Sequence, residues 1–147
     1  MEGSEFTEEE WKLVREGPAL AGLIVLTADK GGTFRESLAL ARAYADARKR
    51  HVESALVEEL ASKGPPHTRR FGSPQELRDE GIETLKEASK LVDRTRPREE
   101  AQSYRAFVMT VAERVARAHH EGGEEISPSE REALEAVAES LGLGSRA

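Results

Sequence analysis

The sequence predicts an all-α protein, a compact single-domain bundle of five to seven helices. Three observations lead there. Apolar residues recur at spacings of three and four, and no stretch alternates apolar and polar at every second position as a half-buried strand would. Ser or Thr followed three residues later by Glu, a helix-start signature, recurs along the chain. At 147 residues the chain can bury one real core. The expected layout is an N-terminal extension or tag remnant over 1–6, one helical domain over 7–143 and a short tail over 144–147.

The first helix opens at Thr7, with Glu10 placed to complete a capping box. Phe6 and Trp11 flank that box at the positions of a hydrophobic staple. Gly17-Pro18 is expected to interrupt the helix and to start a second segment, Ala19 to Ala28, that is apolar on all sides and therefore buried. From Phe34 to Ser62 there is neither Gly nor Pro. Phe34, Leu38, Ala41 and Ala45 form one apolar stripe there, and Val52, Leu56 and Leu60 another. A bend is expected near 48–51, between them. Ser73-Pro74-Gln75-Glu76 is a second capping box, starting a helix through Leu77, Ile82, Leu85, Ala88 and Val92. After a charged loop holding Asp93, Arg94, Arg96 and Arg98, a helix from Pro97 to about His120 buries Tyr104, Phe107, Val108, Val111, Val115 and Ala118. The last helix starts at Ser127 with Glu130 completing its cap, carries Leu134, Val137, Ala138 and Leu141, and ends in glycines suited to a C-cap.

Composition narrows the function. Net charge is −6 and the isoelectric point is about 5.4, the opposite of the basic footprint of a nucleic-acid-binding domain. There are no cysteines, which excludes thiol catalysis, disulfides and thiolate metal sites. The longest apolar run, "ALAGLIVLTA", is half the roughly 20 residues a membrane-spanning helix needs. The acidic start "MEGSEFTEEE" lacks the basic n-region of a signal peptide. The expectation is a cytoplasmic protein without membrane insertion. The same apolar run would suit a homodimer interface if one of its faces stayed uncovered.

Candidate chemistry concentrates in "HHEGGEEISPSERE", residues 119–132. An EF-hand loop starting at Glu121 would end correctly at Glu132, but its sixth position, which requires Gly, is Ile126. His119 and His120 are adjacent, so on a helix they point about 100° apart and do not share a metal simply. Gly122 and Ser127 read more economically as the stop of one helix and the cap of the next. Glu121, Glu124 and Glu125 are surplus to capping. They are the candidate ligands for a divalent metal, with His119 or His120 as an additional donor. Elsewhere "DKGG" lacks a phosphate-binding pattern, and "GPPHTRRFG" reads as an exposed connector. GxSxG and HExxH are absent, and the residues make no positive case for an enzyme.

Two stretches carry a family resemblance. "FTEEEWKLVREGPALAGLIVLTAD" and "VAERVARAHHEGGEEISPSEREALEAVAESLGL" resemble bacterial TerB-like, tellurite-resistance-associated helical domains. The second matches that family's helix, acidic Gly turn and I-S-x-x-E helix start, carried here by Ile126, Ser127 and Glu130. The usual Asp-Gly turn is replaced by Glu121-Gly122-Gly123-Glu124-Glu125. The resemblance implies an all-α fold, no established enzymatic activity, and a stress-response role in which acidic surfaces meet metal ions or protein partners.

Overall fold

The computed structural model describes residues 6–28, 36–50, 55–64, 66, 71–119 and 128–143. It is all-helical over those residues, with six helices: α1 (Glu8–Leu26), α2 (Glu36–Arg50), α3 (Ala55–Lys63), α4 (Pro74–Thr95), α5 (Arg98–His119) and α6 (Pro128–Ser140). α1 lies at the centre, packed most extensively against α4 and α5. α2 and α3 cover one flank of α5, and α6 closes the other side against α4, α1 and α5. No helix among the described residues is long and apolar enough to cross a membrane.

Helix α1 begins as its sequence specifies. Glu10 N donates to Thr7 Oγ1 at 3.1 Å, and Thr7 N donates to Glu10 Oε1 at 3.0 Å. Two amides that a helix start leaves orphaned are thereby satisfied. Phe6 is buried and meets Trp11 edge to face, with ring centroids 5.1 Å apart. The Arg96 guanidinium lies 4.7 Å over the other face of the Phe6 system, held by an ion pair of 3.0 Å to Glu100. Arg96, read from sequence as part of a solvated loop, therefore clamps the entry of α1 against the α4–α5 turn.

The expected interruption at Gly17-Pro18 does not occur, since α1 runs unbroken from Glu8 to Leu26 with Pro18 inside it. Proline lacks an N–H, so the carbonyl four residues earlier, that of Val14, loses its helical donor. The Tyr104 hydroxyl on α5 replaces it, donating to Val14 O at 2.8 Å inside the core. Gly17 makes the approach possible: a Cβ there would sit 2.3 Å from Tyr104 Oη. Tertiary packing thus mends the helix that local propensity would break. The C-terminal half of α1 is buried nearly all round, with Leu23 its half-buried exception between Pro18 and Leu26, so one chain covers the apolar run itself.

The stretch from 34 to 62 contains α2 as far as Arg50 and α3 from Ala55; residues 51–54 lie outside the described residues. The apolar stripe differs from the expected one. Leu40, Ala43 and Tyr44 are buried, whereas Ala41 and Ala45 are exposed. Small alanines fit either face of a helix, and the large Leu40 and Tyr44 set the orientation. Tyr44 packs edge to face on Phe107 at 5.2 Å. Helix α4 also differs at its end, running on through Asp93 and Arg94 to Thr95. Its start keeps half of the expected box: Glu76 N donates to Ser73 Oγ at 3.1 Å, but the Glu76 carboxylate accepts from Gly72 N at 2.8 Å.

Candidate functional site

The three carboxylates singled out from sequence, Glu121, Glu124 and Glu125, lie outside the described residues, as does His120. His119 is the last residue of α5, and its side chain is likewise outside them. Among the described residues no group of three or more His, Cys, Asp or Glu side chains is placed to hold a metal ion. Glu130, expected to complete the cap of α6, is fully buried in the first turn of that helix.

A cleft of about 340 Å³ opens where α5 meets the end of α6, lined by Gln102, Arg105, Ala106, Gly142 and Leu143. Its wall is built by the way α6 stops. Gly142 adopts φ +80°, the left-handed conformation that glycine takes at least cost. Gly142 N then donates to Glu139 O at 3.0 Å and Leu143 N to Ala138 O at 2.8 Å. These are the two bonds of a Schellman motif. The turn leaves the Leu143 side chain 46% exposed, the one large apolar side chain so exposed among the described residues.

Arg105 fixes the floor of the cleft. Its Nε donates to Leu141 O at 2.8 Å and its Nη2 to Asp93 Oδ2 at 2.5 Å. The buried Ser89 hydroxyl reaches the same Leu141 carbonyl at 3.4 Å. A cation at the carbonyl end of α6 also opposes the negative pole of the helix. Three elements thus meet at one carbonyl, and the guanidinium is held rigidly beside Leu143. Chemically the cleft offers an apolar side chain, an amide at Gln102 and the edge of a guanidinium already neutralised by Asp93. That set suits contact with a protein surface rather than bond making.

Sequence reading missed this cleft, although part of its signal is present. The glycine of "LGLG" was assigned to a C-cap, and a residue just after such a cap normally packs back onto its helix. Nothing local to Arg105 indicates that it would reach α6, which lies 36 positions further along the chain.

Compared with protein-family models, with curated proteins and with solved structures, the chain finds no significant match.

Proposed function

We propose that the chain is a non-catalytic helical interaction module of TerB-like type, acting in the cytoplasm in a stress response through a protein partner. The observation that supports the reading is the exposed Leu143 at the edge of the Arg105–Gln102 cleft. Single exposed leucines are ordinary on protein surfaces. This one is presented by a rigid turn, next to an immobilised arginine and a cavity that a partner side chain would fill.

The test replaces Leu143 with Asp, a change at an exposed position that leaves the Schellman bonds intact. Immobilised wild-type chain is expected to retain a partner from an extract of the native host, and the variant to lose it. Equal retention by the two proteins sinks the reading.

A second reading rests on Glu121, Glu124 and Glu125, which helix capping leaves unused: weak divalent-metal binding, with His119 or His120 assisting. Titration calorimetry with calcium, magnesium, manganese and zinc then gives heat at millimolar metal and a raised melting temperature. Absence of both eliminates it.

A further inference from the structure

The charge of the protein is polarised between its helices. α1, α3, α4 and α6 are each net negative, whereas α2 is net +2 and α5 net +1. These two positive helices pack side by side. Where they meet, Arg114 Nε lies 2.8 Å from Asp46 Oδ2, so the ion pair ties the two exposed faces together. Arg42 and Lys49 stand four residues before and three after Asp46, on the same stripe of α2. Arg117 stands one turn beyond Arg114 on α5. All four basic residues are exposed. Glu113, also exposed, is the acidic neighbour on α5, so the face keeps a positive balance with Asp46 already spent on Arg114.

From this polarity we infer that the α2–α5 face docks an acidic protein segment, an extended peptide rich in Asp and Glu. The inference goes beyond the proposed module by naming a partner chemistry, and it does not depend on the Leu143 cleft. Charge complementarity selects the occupant. A negative peptide is attracted to this face and repelled by the rest of a molecule whose net charge is −6, which defines both site and orientation. Arg42 and Lys49 are seven residues apart, about 10.5 Å along the helix, which matches every third or fourth residue of an extended strand. A nucleic-acid duplex carries a charge about every 1.7 Å and extends past the face onto the acidic remainder. A lipid surface calls for apolar side chains to insert, and the described residue that would serve, Leu143, belongs to the far end of α6.

The experiment measures anisotropy of a fluorescent Glu-rich peptide titrated with the full chain. Binding is expected at about 0.01 M salt, where the Debye length is about 30 Å, and is expected to vanish near 1 M, where it is about 3 Å. The double reversal Arg42→Glu/Lys49→Glu lowers affinity about tenfold or more, and the single Arg117→Glu lowers it less. Thermal melts of both variants check that they fold, and the α5 variant keeps the test alive if the α2 pair does not. Leu143→Asp binds the peptide as wild type does, so loss of the cleft partner and loss of this face are read separately. The inference is overturned if the peptide fails to bind at low salt or if folded charge-reversed variants bind it unchanged. It is also overturned if an oligonucleotide of equal charge or anionic vesicles bind more tightly than the peptide.

Discussion

Tyr104 is the residue on which the interior turns, because its hydroxyl does for Val14 what the backbone of residue 18 cannot. Removing it by Tyr104→Phe leaves a buried carbonyl without a donor, at a cost of about 1–3 kcal/mol. The coupling to Pro18 makes the claim specific. In a Pro18→Ala background the helix recovers its own N–H, and the penalty for Tyr104→Phe is expected to shrink. A double-mutant cycle by denaturant melting measures this, and simple additivity would count against it. The same hydroxyl sets a pH dependence. Burial pushes the phenols of Tyr104 and Tyr44 well above their ordinary range; the neighbouring Tyr44 adds to this for Tyr104, while Arg15 opposes it for Tyr44. A raised folded-state pKa means that the unfolded chain gives up its proton first. The stability these groups contribute is therefore complete below about pH 10 and lost as the pH climbs past it. The loss is at most about 1.4 kcal/mol per pH unit for each phenol. Tyr44 Oη is buried and lacks a hydrogen-bond partner, so Tyr44→Phe removes an uncompensated group and flattens the alkaline slope. An unchanged slope between pH 9 and 11 would contradict this account.

At the scale of elements, what was legible in the sequence is what is decided within one turn of chain. The Thr7–Glu10 box, the Phe6–Trp11 staple and the Gly142 stop all depend on neighbours three to five positions away, and the structure forms each of them. The all-helical class follows from the same periodicity. What failed was decided elsewhere in the chain. Pro18 looked like a break because the donor that repairs its helix lies 90 positions from Val14. Ala41 and Ala45 looked like a core stripe because alanine is compatible with both environments, and only packing on Phe107 and Gly22 selects the Leu40–Tyr44 face. Arg96 and Arg105 looked like solvated charges, since a long side chain can either stay in water or lie along a neighbour. One lies over Phe6 and the other caps α6. The cleft beside Leu143 inherits that difficulty: its turn was readable, and the arginine that completes it was not. The acidic turn at 121–125 was readable only as chemistry without geometry.

Across the whole molecule, the packing implies that the parts do not open together. α1, α4 and α5 bury each other's largest surfaces, whereas α2 meets the central helix over little more than the Gly22 notch and is held mainly by α5. At that notch a Cβ on residue 22 would fall 2.6 Å from Leu40 Cδ2 and 3.3 Å from Val115 Cγ2. Leu40 stands on α2 and Val115 on α5, so Gly22→Ala drives a wedge between the core and its flank. Overpacking of this kind typically costs about 1–3 kcal/mol. Native-state hydrogen exchange should locate that loss. In the wild type, amides in α1, α4 and α5 are expected to exchange only through global unfolding, and those of α2 and α3 through a cheaper local opening. The substitution should speed exchange in α2 well before it affects α4. Equal acceleration in both helices would mean that the bundle unfolds as one unit and that the α2–α3 flank has no separate opening. A distinct opening there would also set the α2–α5 face apart energetically, because the ion pair between Asp46 and Arg114 must part when α2 leaves. A ligand bridging the two helices would then slow exchange in α2 selectively, by mass action on the closed form alone.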